Sequence, residues 1–340
     1  MAPQAEKEFP MHHTPSRTPT LAMMLAGVAG SLAAFMPLDA AAQAYPSRPL
    51  RILVGFAAGG PVDAVARITA NRLPAYVGQS VVVENRPGAD ASIAMEALAK
   101  SAPDGHTLYL LQPGVAINPA LYKSVPFDPI KDFAPITLIG ESPNLVAVSN
   151  ATPVKNLQEL LALARDKRGQ LNYGATSSPT LLASELLNTM ASVQITRIPF
   201  KGAAPAFTAL MANDVQLVIS GIGTLLPLAK GGKVRAIAVT SAKRSALAPD
   251  IPTMEESGLV GYVATTWYGL AAPGATPRPI IDRLNADMRK LLAEPEVKTQ
   301  LQAQGIDEPT PTTPERVTEL VRAELVKWDR VVKQSGARAD

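Results

Sequence analysis

Strand-like and helix-like apolar patterns alternate along the chain from residue 45 onward. Short apolar runs bounded by Gly, Pro, Asn or Asp read as strands at 50–56, 80–84, 107–111, 145–148, 171–174, 195–200, 215–220, 234–240 and 267–272. Helical spacing marks 92–100, 157–164 and 181–190, a segment opened by Lys201-Gly202 through 206–212, and one around 225–229. Near the end, Ile280, Ile281, Leu284, Met288, Leu291 and Leu292 share one helical face, as do Val317, Leu320, Val321, Leu325, Trp328 and Val332. Both stripes read as core. Residues 115–135 hold four prolines and read as irregular. The alternation predicts an α/β class with largely parallel sheets, and no internal repeat interrupts it.

The densest chemistry lies where the first strand meets the first helix, in residues 45–67 (YPSRPLRILVGFAAGGPVDAVAR). Pro61 suits the first helical position, where its missing N–H would have no partner. Asp63 stands third, where its carboxylate can reach back to the N–H of Gly60. Beyond Phe56, side chains nearly vanish across Ala57, Ala58, Gly59 and Gly60. Bare N–H groups at a positive helix end make a candidate small-anion site, and a side chain at Gly59 or Gly60 would block it. A plain strand-to-helix turn would leave the same pattern.

Composition narrows the chemistry further. Residues 20–38 are apolar and rich in Ala, Gly and Met, with Arg17 upstream and the small-x-small triplet Ala42-Gln43-Ala44 downstream. This reads as a signal peptide cleaved near Ala44, giving an exported, periplasmic protein without a membrane span. Glu6 and Glu8 are unusual in such a leader, and Met11 is an alternative start. Cysteine is absent, which excludes disulfides, thiol nucleophiles and thiolate metal sites. Of three histidines only His106 survives cleavage, in the turn Pro103-Asp104-Gly105-His106, where an exposed position is expected. No metal, cofactor or catalytic residue is expected. The leader carries two cationic residues (Lys7, Arg17) and three acidic ones (Glu6, Glu8, Asp39), so the +3 of the full chain becomes +4 without it. A mild excess favours anionic ligands, whereas scattered basic residues and few aromatics do not support nucleic acid.

Several segments resemble, in order, the Bug-type extracytoplasmic solute receptors of tripartite tricarboxylate transporters. They are FAAGGPVDAVAR at 56–67, ENRPGA at 84–89, PDGHTL at 103–108, NPALYK at 118–123, FDPIKDF at 127–133 and LNYG at 171–174. PFKGAAP at 199–205, GKVRAIAVT at 232–240, Lys243-Arg244, PDIPT at 249–253, WYGLAAP at 267–273 and Lys327-Trp328 continue the series. The resemblance implies a type II periplasmic-binding-protein fold: two α/β lobes joined by two crossovers, with a ligand cleft between. It puts a first lobe at 45–147, a second at 148–264 and a return segment at 265–340, with crossovers near 146–149 and 262–266. The expected ligand is a small carboxylate, commonly a di- or tricarboxylate or a related organic acid, or else an amino acid, and the expected partners are the membrane subunits of a transporter, served by a monomer.

Within that frame the candidate cleft has three segments. Phe56 to Gly60 with Asp63 come from the first lobe. Thr176, Ser177, Ser178 and Thr180, around Pro179, open a second-lobe helix. Lys201, Gly202 and Ala203 open another, and Gln112 and Ser220 end strands whose carboxyl ends would border the cleft. Two positive helix ends facing each other would suit two carboxylates of one ligand. The chain departs from the family after Tyr173-Gly174, where Ser and Pro replace two glycines, and at Asp90-Ala91, which stands in a usually Gly-rich stretch.

Two other readings fit parts of the same pattern. A sensor partner in signalling would need the same cleft. A hydrolase would use Ser177 and Ser178 with Lys201 as general base, but the surrounding spacing differs from that of amidases.

Overall fold

The computed structural model describes residues 45–338, so the leader expected at 1–44 lies outside the described residues. The first sheet contains β1 (Leu50–Val54), β2 (Val81–Asn85), β3 (Thr107–Leu111), β4 (Phe133–Ser142) and β10 (Thr266–Pro273), in the order β2-β1-β3-β10-β4. The second contains β5 (Asn144–Val148), β6 (Asn172–Ala175), β7 (Thr196–Pro199), β8 (Leu217–Gly221) and β9 (Arg235–Val239), in the order β7-β6-β8-β5-β9. In each five-stranded sheet four strands run one way and one runs against its neighbours, β10 in the first and β5 in the second. β1 (LRILV) shows why the parallel strands read as apolar runs: all but Arg51 are buried, because helices cover both faces.

The helices associated with the first sheet are α1 (Pro61–Arg72), α2 (Pro74–Val77), α3 (Ser92–Ala99), α4 (Gly114–Leu121), α9 (Arg278–Ala293) and α10 (Pro295–Ala303). Those of the second are α5 (Leu157–Asp166), α6 (Ser178–Ala191), α7 (Ala203–Ala212) and α8 (Ile222–Lys230). The last helix, α11 (Pro314–Ser335), packs on α4 and β4 of the first sheet and on α6 of the second. Thr313 caps it by accepting from the Arg316 amide, Pro314 opens it, and Gly336 at φ +71° ends it. Its buried stripe of Val317, Val321, Trp328 and Val332 joins one continuous core with Tyr109, Tyr173 and Leu182. A side chain the size of Leu182 contributes about 1.5–3 kcal/mol when fully buried. That core therefore ties the two sheets together along one side.

The chain leaves the first sheet at Ser142, passes Pro143 and enters the second at Asn144, then returns at Thr266. The crossover expected near 146–149 and the boundary at 147/148 are thus corrected toward the N-terminus. Val146 and Val148 already pair with β8 and β9. Thr240 Oγ1 accepts from the Asn144 amide at 2.9 Å and donates to the Ala264 carbonyl at 2.9 Å. Asn144 Nδ2 reaches the same carbonyl at 2.7 Å, which clamps the two crossing segments side by side.

Two further expectations are corrected. Residues 115–135 are not irregular throughout, since α4 spans Gly114–Leu121 and β4 begins at Phe133. Full burial of Val115, Ala116 and Ile117 carries α4 across Pro119. Pro135 is tolerated because β4 is an edge strand with a register shift at that point. His106 is buried, not exposed: Nε2 accepts from the Ser47 amide at 3.3 Å, and its ring meets Tyr45 edge-on at 5.2 Å.

Candidate functional site

A cavity of about 310 Å³ opens between the two sheets at the carboxyl ends of their parallel strands. Phe56 follows β1 and Gln112 follows β3 on one side, while Ser220 and Gly221 end β8 on the other. Ser142, Asn144, Thr266 and Tyr268 contribute from the strands at the crossovers. Helix starts converge on this space: Pro61 and Val62 of α1, Ser177 and Pro179 at α6, Ala203 of α7, and Gly223 and Thr224 of α8. First-turn amides lack intrahelical partners, so each start presents donors and partial positive charge. Among the described residues that line the cavity, none is charged at neutral pH. The polar groups on its wall are therefore backbone and neutral side chains.

Gln112 is the sharpest polar feature. It is only 3% exposed, its Oε1 accepts from the Gly114 amide at 3.1 Å, and among the described residues its Nε2 makes no hydrogen bond of good geometry, with the equally buried Tyr109 hydroxyl beside it. The Gly114 contact fixes which end of the amide is which. An unpaired buried donor in a cavity wall costs free energy until something accepts from it. Tyr268 adds a hydroxyl that burial pushes up to about 12, so it stays neutral over the physiological range.

The structure sorts the sequence-derived candidates unevenly. Phe56, Gln112, Thr176, Ser177, Thr180, Ala203 and Ser220 line the cavity. Ala57, Ala58, Gly59 and Gly60 are not among its lining residues; the first three are exposed, and Pro61 and Val62 contribute instead. Lys201 and Gly202 are exposed outside the cavity lining. Ser178 turns away from it to hydrogen-bond Asp90. Thr180 is spent on capping, because its Oγ1 accepts from the amides of Thr176 at 3.2 Å and Ser177 at 3.1 Å.

Asp63 is buried outside the cavity lining, and its partner differs from the expected one. Oδ2 accepts from the Gly59 amide at 2.9 Å rather than from Gly60, and from Arg67 Nε at 2.8 Å. Asn85 Nδ2 holds Oδ1 at 2.9 Å. The Arg67 hydrogen bond, with help from Gly59 and Asn85, outweighs burial and holds this carboxyl down at about 2. It is a structural anion.

Sequence reasoning missed the α8 start and the far wall at Ala303 and Gln304. Gly221 and Gly223 after the strand 215–220 repeat the strand-then-glycine pattern and were a usable signal. Nothing local to Gln304 marks it. The hydrolase arrangement is not assembled, since the exposed Lys201 hydrogen-bonds neither Ser177 nor Ser178 among the described residues. Also among the described residues, no group of three or more His, Cys, Asp or Glu could hold a metal, and no helix is long and apolar enough to cross a membrane.

Residues 65–337 match the tripartite tricarboxylate transporter family receptor. The chain belongs to that family. Among solved structures, this receptor is similar to Rpa4515 of R. palustris, described with adipate, at 35% identity and a TM-score of 0.76 over 86% of this chain and 98% of the other. MatC of Rhodopseudomonas palustris, described with bound malate, is 34% identical with a TM-score of 0.74 over 85% and 100%. The periplasmic binding protein BugD is 32% identical with a TM-score of 0.74 over 86% and 99%. The receptor has the two-lobed type II periplasmic-binding-protein fold of these neighbours, with the cavity between its lobes.

Proposed function

We propose that this receptor captures a small carboxylate in the interlobe cavity and delivers it to the membrane subunits of a tripartite tricarboxylate transporter. It acts as a non-catalytic, monomeric periplasmic protein exported by the leader ending near Ala44. The observation that carries this reading is the convergence of four helix starts on a cavity lined by no charged side chain. Each helix end contributes roughly 0.3–1 kcal/mol when exposed and up to ~2 when partly buried. Charge-assisted hydrogen bonds to amides contribute about 1.5–3 kcal/mol each. A few of these suffice for micromolar binding, which needs about 8 kcal/mol. The unpaired Gln112 Nε2 supports the same reading, as do the adipate and malate described for the two R. palustris neighbours.

Binding should also draw the lobes together, because wall residues come from both and only two crossings join them. The test is a thermal-shift screen of C4–C8 mono- and dicarboxylates and amino acids on the leaderless protein, followed by calorimetry of the hits. Micromolar binding of a carboxylate is expected. Failure of every carboxylate, with binding of a neutral or cationic solute instead, would overturn the reading.

A further inference from the structure

Behind the main cavity lies a second pocket of about 130 Å³ that shares Thr176 and Ser177 with it. Its far wall is Asp90, from the 3-10 turn Ala89–Ala91 of the first lobe. Here the backbone is held in an uncommon form: after Gly88, the residues Ala89, Asp90 and Ala91 all have positive φ, at +46°, +48° and +70°. Side chains other than Gly, Asn and Asp rarely adopt this conformation, so the surroundings must over-determine it. Asn118, fully buried, donates from Nδ2 to the Asp90 carbonyl at 2.8 Å and to Ser92 Oγ at 3.0 Å. Ala91 packs so closely on Gly55 that a Cβ there would lie 2.2 Å from the Ala91 Cβ.

This strained turn aims one carboxylate across the lobe boundary. Asp90 Oδ2 accepts from Tyr122 OH at 3.1 Å within its own lobe and from Ser178 Oγ, the first residue of α6, in the other. Among the described residues Asp90 forms no ion pair; Arg197 lines the same pocket without pairing to it. The α6 start therefore already has a carboxylate against it, from the side opposite the main cavity.

We propose that Asp90 determines specificity by acting as a resident carboxylate at α6, so that the cavity prefers a ligand with one carboxylate and an uncharged remainder over a dicarboxylate of equal length. This rests on the carboxylate reading of the cavity. The ligand's carboxylate goes to the Gln112 side of the cavity, away from Asp90. A second carboxylate reaching Ser177 would meet a helix end whose positive charge is already matched, and would be repelled by Asp90 through one layer of residues. Phe56, Pro61, Val62, Pro179 and Ala203 instead offer a hydrocarbon tail apolar surface.

The test uses matched acids, such as hexanoate with adipate and octanoate with suberate, titrated calorimetrically into leaderless wild type, Asp90→Asn and Ser178→Ala. Asn keeps an acceptor for Ser178 and suits a positive φ, so it removes the charge alone. Wild type should bind the monoacid tighter, and Asp90→Asn should strengthen diacid binding about tenfold while leaving the monoacid unchanged. Ser178→Ala, which keeps the charge, should retain the monoacid preference. If Asp90→Asn shifts both acids equally, Asp90 acts on lobe closure and the specificity role is overturned; a shift in neither overturns it as well. If no acid binds any variant, the carboxylate reading itself falls.

Discussion

Asp63 Oδ2 accepts a hydrogen bond from the Gly59 amide at 2.9 Å, so the first helix turns its own carboxylate back onto the loop that precedes it. One amide that could have met a ligand is thereby satisfied internally. With Arg67 and Asn85 completing the set, Asp63 is fixed in the ionised form well below its ordinary value of 3.8. A carboxyl with a lowered folded-state value stabilises the fold fully above its unfolded value, and that contribution is lost as pH falls through the folded value near 2. It amounts to about 2 kcal/mol. Asp63→Asn should therefore lose about 2 kcal/mol at pH 7 in urea denaturation, with the gap from wild type closing below pH 2. Ligand affinity should be unchanged, because Asp63 is not part of the cavity wall. A selective loss for an aminated ligand would overturn this assignment.

Neighbouring glycines should differ sharply. Gly59 sits at φ +87° and Gly60 at φ −83°, with only the Ala57 carbonyl within 4 Å of a Cβ built at Gly60, at 3.8 Å. Gly59→Ala should cost roughly 1–2 kcal/mol from backbone strain. Gly60→Ala should be neutral in a thermal melt, although both positions read alike in sequence.

Gln112→Glu keeps the acceptor for the Gly114 amide and replaces the unpaired donor with a carboxylate. Affinity for any carboxylate ligand should fall at least about tenfold by calorimetry, since a donor becomes a like charge. Retention of full affinity would remove Gln112 from the site.

Gly305 follows the far-wall residues Ala303 and Gln304 at φ +89°, and a Cβ there would stand 3.0 Å from Ser142 Oγ and 3.2 Å from Ile222 Cγ2. Gly305→Ala should melt earlier, by a strain of about 1 kcal/mol, and bind ligand more weakly as the α8 start is pushed from the wall. Calorimetric scanning with parallel ligand titration checks both effects. Unchanged binding would mean that this contact does not shape the cavity.

By itself the sequence determined the alternation of strands and helices, because buried parallel strands need continuous apolar runs and surface helices need a periodic face. It also marked the helix starts at Pro61, Pro179 and Ala203, since small or rigid residues at those points have local backbone causes. Gln112 was legible only as the end of a strand; that its Nε2 lacks a partner depends on folding back over Gly114. The proline-rich α4 and the edge strand β4 were illegible, because burial and a register shift offset local propensity there. Tertiary structure alone decided which faces of these turns look into the cavity. It left Ala57, Ala58 and Gly59 exposed outside the cavity lining, spent Thr180 on capping, and brought Gln304 and Thr224 to one wall from 80 residues apart in the chain. It also set Asp90 against Ser178, 88 residues away, where a charge in one lobe meets a helix end in the other. Such relations depend on how two sheets are set against each other, and no local pattern encodes that.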